Sequence, residues 1–167
     1  MRTAMASDQE LKRLAARVGQ RLRRGNRRVV TAESCTGGWI AKALTDVAGS
    51  SEWLESGYVT YSNAAKTRDL GVPARTLARH VPHGLLAHGS MARQSAGAAV
   101  AVSGIAGPDG GSPEKPVGTV WFAVAVRRAK AVRLASARCG FRGDREHVRR
   151  KSVEYALRLL LKHVPPA

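Results

Sequence analysis

The chain has 167 residues, 44% of them hydrophobic, and a formal net charge of +16; its mean hydropathy is −0.23. That length suits one domain with a full core, expected over residues 1–167 with its core at 8–162. No apolar run approaches the ~20 residues that a bilayer span needs, the N-terminus has no apolar secretion signal, and Cys35 and Cys139 are too few for a disulfide framework, so a cytoplasmic location and no membrane contact are expected.

The positive charge raises a polyanion partner as a reading. The charge is spread, however, over Arg21–Arg28, Arg127–Lys130 and Arg149–Lys151, and 21 of the 28 basic residues are Arg. None of the eight aromatic residues interleaves with a basic run. A solvated surface is therefore favoured over nucleic-acid binding, which stays open as the alternative function.

In chain order, Ser7 caps a first helix with Glu10 at the capping-box position. Its apolar stripe is Leu11, Leu14, Ala15, Val18 and Leu22, and Gly25-Asn26 stops it. A strand over 27–32 leads into the polar run Thr31-Ala-Glu-Ser-Cys-Thr-Gly-Gly38 and a helix over 37–47. Residues 56–62 alternate as a strand, with Tyr58 and Thr60 opposite Val59 and Tyr61. Asn63 is then expected to cap a short helix that carries Lys66 and ends at Gly71.

A short helix and turn over 73–80 and a helix over 85–97 follow. Residues 98–103 and 119–126 are continuous apolar runs that read as buried strands. A Gly/Pro loop over 104–116 joins them, 132–138 alternates as an edge strand, and Asp144 starts a last helix reaching His163. Val148, Val153, Ala156, Leu157 and Leu160 form its inward face. This order predicts an α/β fold: a three-layer α/β/α sandwich with a mixed sheet.

Three polar loops (33–38, 62–66 and 103–116) follow predicted strands, and sites in open α/β sheets gather at the carboxyl ends of strands. At the first loop, a helix start with free N–H groups suits an oxyanion, so Ser34 reads either as a nucleophile or as part of a capped turn. A serine needs a base. His80, His83, His88, His147 and His163 have no evident Asp partner and read as surface residues. Lys66 could serve if desolvated, although its spacing alone suggests a surface lysine. Cys35 is an alternative nucleophile, more simply read as a small buried side chain. No spacing of His, Cys and Asp suggests a metal site. The loop Ser103-Gly-Ile-Ala-Gly-Pro-Asp-Gly-Gly-Ser112 could wrap a phosphate or serve only as a long turn. Arg142 and Arg145 could meet an anion or stay solvated.

Five blocks together resemble a known family: Thr31–Gly38, Gly57–Asn63 with Ala65-Lys66, Ser103–Gly111, Lys115–Phe122 and Phe141-Arg-Gly-Asp-Arg145. They are similar, in the same order, to the CinA C-terminal domain family, over residues 8–162. The resemblance implies a three-layer fold, often oligomeric, so a homo-oligomer is expected. It also implies an amidohydrolase that converts nicotinamide mononucleotide to nicotinate mononucleotide and ammonia in pyridine-nucleotide salvage, without cofactor or metal. The family's catalytic serine, lysine and tyrosine fall on Ser34, Lys66 and Tyr61. Backbone amides of Cys35, Thr36, Gly37 and Gly38 become the oxyanion donors, and Ser103, Gly104, Asp109, Gly110, Thr119 and Arg145 the candidates for holding substrate. The stretch 81–99 departs from the family by being several residues shorter and by carrying Gly89-Ser90 where an acidic residue is common. The nucleotide-binding domain of longer CinA proteins has no counterpart in the chain, which is expected to be the amidase alone.

Overall fold

The computed structural model describes residues 5–74, 96–129 and 131–166. Five strands, β1 (Val29–Glu33), β2 (Leu54–Val59), β3 (Ala98–Gly104), β4 (Thr119–Arg128) and β5 (Ala131–Gly140), form one sheet in the order β2-β1-β3-β4-β5. β1 lies parallel to β2 and β3, whereas β3–β4 and β4–β5 are antiparallel. The helices among the described residues are α1 (Asp8–Arg24), α2 (Trp39–Thr45), α3 (Asn63–Leu70) and α4 (Arg145–His163). The mixed α/β sheet expected from the alternation of elements is thus present.

Alternate strand residues point to opposite faces. On one face Val29, Val100, Val102, Val120, Phe122 and Val124 meet the apolar stripes of α1, α2 and α4. The Phe122 ring lies 4.6 Å from that of Tyr155 on α4 and edge-on to Phe141 at 6.2 Å. On the other face Val30, Ala32, Ala99, Ala101, Ala123 and Ala125 meet Leu70 and Val72 at the end of α3. β1 is buried along its whole length, as a parallel strand covered on both faces must be. The edge strand β5 alternates between exposed and half-buried positions, as its sequence predicts.

Caps explain where the helices begin. Ser7 Oγ accepts the Glu10 N–H at 3.2 Å, and Asp144 accepts the His147 N–H at 2.8 Å. The capping box at α1 is only half made: the Glu10 carboxylate pairs with Arg158 on α4 at 3.3 Å instead. Three boundaries differ from the sequence reading. Ser62, not Asn63, caps α3, its Oγ accepting the Ala65 N–H at 3.1 Å, and β2 accordingly stops at Val59. α2 starts at Trp39 because Gly37 and Gly38 have φ of 63° and 91°, outside the helical region. β1 runs through Glu33, held by pairing with both neighbours. The helices expected over 73–80 and 85–97 and the departure within 81–99 fall largely outside the described residues, as do His80, His83 and His88.

The topology sets the position of the site. The chain leaves β1 for β2 on one side, and β3 lies on the other. The carboxyl end of β1 is therefore a topological switch point, where a crevice opens between diverging connections. The loop joining β3 to β4 reaches the same end and is closed by a tight turn at Gly118. Its N–H donates to the Ile105 carbonyl at 2.7 Å, and its carbonyl accepts the Phe141 N–H at 2.9 Å. A Cβ at this position would lie 1.9 Å from the Phe141 carbonyl oxygen, at a φ of +90°. Gly118→Ala should therefore cost at least about 2 kcal/mol in urea unfolding, since clash and backbone strain add. A loss below about 0.5 kcal/mol, the scale of a neutral surface change, would contradict this packing.

Candidate active site

Ser34 sits immediately after β1, 9% exposed. Its N–H donates to the Val102 carbonyl of β3 at 3.0 Å, and the Gly37 N–H closes a turn onto the Ser34 carbonyl at 3.0 Å. Glu33, only 1% exposed, is the residue before it. The Glu33 carboxylate accepts the N–H groups of Ile40 at 2.9 Å and Ala41 at 2.8 Å, both in the first turn of α2. This changes the sequence-based picture of the helix start. The amides there are not free for a ligand, because a buried carboxylate from the preceding strand takes two of them and opposes the positive end of the helix.

The remaining amides of the turn differ in access. Gly37 uses its N–H within the turn, and Thr36 is fully buried. Burial does not by itself occupy an amide, so of the four expected to serve an oxyanion, those of Cys35, Thr36 and Gly38 stay candidates, whereas that of Gly37 is taken by the Ser34 carbonyl. The carbonyls of Cys35 and Thr36 accept from Arg149 Nε at 3.1 Å and Nη2 at 3.0 Å. Arg149 is a residue that the sequence reading did not single out. The available signal was its position four residues after Arg145, on the same face of one helix.

Lys66, on the second turn of α3, is only 8% exposed, not the surface lysine its spacing suggests. Burial lowers its pKa from the ordinary 10.5, opposed by the nearby Cys35 thiol. The Cys35 thiol shifts the other way, pushed up to about 11 chiefly by burial, with Glu33 adding to the rise and Arg149 and Arg145 opposing it. Burial of this kind works against a Cys35 thiolate.

Tyr61 is 59% exposed beside these groups, and Arg145 Nη2 donates to its hydroxyl at 2.9 Å. The same guanidinium donates from Nη1 to the Gly107 carbonyl of the glycine-rich loop at 2.7 Å. Arg145 thus ties the loop after β2 to the loop after β3, and Asp144 caps the helix rather than pairing with Arg145. Asp109 and Gly110 are exposed and Ser103 is half-buried. Gly104 and Thr119 support the loop from below: Thr119 is 3% exposed, and a Cβ on Gly104 would lie 2.6 Å from the Thr119 carbonyl. His147 and His163 lie on α4, where His147 takes part only through its backbone N–H in the Asp144 cap.

A desolvated lysine affects stability in a definite direction. Its lowered folded pKa means that the folded state binds fewer protons than the unfolded chain between that pKa and 10.5. Below that window the penalty for burying the charge is fully present; it disappears as pH rises through the window. Lys66→Met should therefore melt at or above the wild-type temperature at pH 7, with wild type catching up as pH approaches 10.5. A Lys66→Met protein that melts lower at pH 7 and gains nothing relative to wild type at lower pH would contradict the desolvation.

Known proteins resemble this chain over nearly its whole length. A family model for the CinA C-terminal domain matches residues 11–164. The chain is 52% identical to the nicotinamide-nucleotide amidohydrolase PncC of Escherichia coli K12 over 159 residues, covering 92% of this chain and 94% of the relative. It is 54% identical to the protein of that name from Pseudomonas putida over 155 residues, covering 89% and 94%. Among solved structures, the competence damage-inducible protein A of Klebsiella pneumoniae superposes with a TM-score of 0.85 at 40% identity, covering 93% of this chain and 99% of the other. The competence/damage inducible protein CihA of Agrobacterium tumefaciens gives 0.84 at 40% identity, covering 96% and 98%. With five sequence blocks, the sheet and nearly the whole length in agreement, the chain belongs to the CinA C-terminal domain family.

Proposed function

We propose that the protein hydrolyses the carboxamide of nicotinamide mononucleotide, giving nicotinate mononucleotide and ammonia, with Ser34 as nucleophile. The reading is supported by a serine on a tight turn at the β1 switch point and by a buried lysine, on the helix after the neighbouring strand, whose pKa is lowered by desolvation. The names and near-complete coverage of the PncC relatives supply the substrate.

The chemistry runs as acyl transfer in two halves. Neutral Lys66 takes the Ser34 hydroxyl proton as Oγ attacks the carboxamide carbon. Charge develops on the carbonyl oxygen, and the Cys35, Thr36 and Gly38 amides stabilise it. The lysine ammonium returns a proton to the amide nitrogen, directly or through Tyr61, and the C–N bond breaks to release ammonia. Water, deprotonated by the same amine, then attacks the nicotinoyl ester and frees Ser34 and the acid. The pyridinium of the substrate withdraws electrons from the carbonyl, so the attack needs no metal. In this proposal Asp109, Gly110 and Ser103 face the phosphoribosyl part, with the unengaged donors of Arg145. Gly104 and Thr119 shape the loop beneath them.

Several surface arginines are occupied within the fold: Arg150 pairs with Asp8 and Glu146, and Arg158 with Glu10 and Glu154. The nucleic-acid reading keeps only the bulk charge of +16 behind it, and no helix among the described residues is long and apolar enough to cross a membrane.

The test is ammonia release from nicotinamide mononucleotide by the purified protein. Ser34→Ala should lower kcat by at least ~10³-fold, the scale expected when a covalent nucleophile is lost, with the fold retained. Cys35→Ala, which keeps the backbone amide, should stay within about 10-fold of wild type, since the thiol is protonated and holds no catalytic proton. A reversed order of losses would assign the nucleophile to Cys35. Wild-type activity should rise with pH along a limb set by Lys66 below the usual lysine range, and that limb should vanish in Lys66→Met.

A further inference from the structure

The turn that carries Ser34 is held from both sides by side chains of opposite charge. Glu33 takes the N–H groups of Ile40 and Ala41. Arg149, 113 residues from Thr36 in sequence, sends Nη2 to the Thr36 carbonyl at 3.0 Å and Nε to the Cys35 carbonyl at 3.1 Å. Its guanidinium also lies 5.4 Å from the centre of the Trp39 ring at the start of α2, which fixes its plane. With Gly37 donating to the Ser34 carbonyl, three successive carbonyls, those of Ser34, Cys35 and Thr36, are engaged.

This pattern bears on the reaction. The C=O and the N–H of a trans peptide point in opposite directions. Anchoring a carbonyl therefore fixes the direction of the next amide: through the Cys35 carbonyl Arg149 sets the Thr36 N–H, and through the Thr36 carbonyl the Gly37 N–H that closes the turn. A pocket for a developing oxyanion needs N–H groups facing it and carbonyl oxygens turned away, because a carbonyl dipole facing the wrong way would repel the charge. A planar guanidinium presents two donors at fixed spacing to two neighbouring oxygens; an ammonium cannot.

We propose that Arg149 is a positioning residue for the amidase reaction: it draws the Cys35 and Thr36 carbonyls away from the reacting centre and keeps the Ser34 turn in its oxyanion-accepting form. The inference rests on the amidase reading above. Arg149 acts through the backbone, with no contact to substrate, and so differs from Arg145, which holds Tyr61 and the glycine loop.

The experiment compares wild type with Arg149→Gln and Arg149→Lys, and with Arg158→Gln as a control that removes α4 ion pairs away from the site. In Arg149→Gln, kcat for nicotinamide mononucleotide should fall about 10–100-fold, with KM within about two-fold; Arg149→Lys should fall between, and Arg158→Gln should keep wild-type kcat. Affinity for the aldehyde analogue of the substrate, which forms a tetrahedral adduct on a serine, should fall by the same factor as kcat/KM. Affinity for nicotinate mononucleotide, which has no tetrahedral centre, should not change. Hydrogen exchange at the Gly37 amide, which needs no turnover, should quicken about 10-fold or more as the turn loosens. Unchanged kcat, a rise in KM alone, equal loss of adduct and product affinity, or unchanged Gly37 exchange would each overturn the proposal. If wild type releases no ammonia, the amidase reading falls, and the exchange measurement still decides whether Arg149 holds the turn. If Arg149→Gln does not fold, Arg149→Lys carries the same comparisons.

Discussion

The buried carboxylate of Glu33 is the constraint on which the site depends. A carboxylate that is 1% exposed is costly unless its oxygens are satisfied, and here two helix amides satisfy them. The bonds tie the last residue of β1 to the first turn of α2 across five intervening residues, so the connecting chain must form a tight loop. Gly37 and Gly38 supply the positive φ angles that such a loop needs. Ser34 sits at the base of that loop because its N–H continues the β1–β3 ladder onto the Val102 carbonyl. Strand, turn and helix are thus one mechanical unit, and the placement of Ser34, the proposed nucleophile, follows from satisfying a buried carboxylate.

Helix α4 completes what the first unit leaves open. Arg145 and Arg149 lie four residues apart on its first two turns and therefore share a face. One joins Tyr61 to the glycine-rich loop, and the other grips the carbonyls of the Ser34 turn. Further along the same helix Leu157 and Leu160 pack into the core and Tyr155 meets Phe122. Because hydrophobic packing fixes the helix, its two arginines are presented at a fixed distance from three loops that follow three different strands. Mobile side chains gain definite positions in this way.

Burial acts oppositely on Lys66 and Cys35, and that contrast suits the proposed chemistry. Desolvation disfavours charge. For Lys66 this means easier loss of a proton, hence a base nearer neutrality; for Cys35 it means a thiol held protonated. Desolvation thus works in favour of Lys66 as a proton acceptor and against a Cys35 thiolate, the direction the proposed chemistry requires.

Much of this molecule was legible in the sequence. Continuous apolar runs gave β3 and β4, alternation gave the edge strand β5, and Ser7 and Asp144 marked helix starts, because each is a local pattern set by backbone geometry within a few residues. The block around Ser34 and the family it resembles were legible for the same reason. Other features were decided by tertiary structure. Lys66 is a base candidate because α3 buries it, which no spacing in Asn63-Ala-Ala-Lys66 reveals. The α2 amides are occupied because Glu33 reaches them from the strand, outside any capping spacing. Arg149 meets the Ser34 turn across 113 residues of chain. Local sequence sets propensity and caps through short-range sterics and hydrogen bonds; desolvation and the pairing of distant charges exist only after the sheet and α4 have packed.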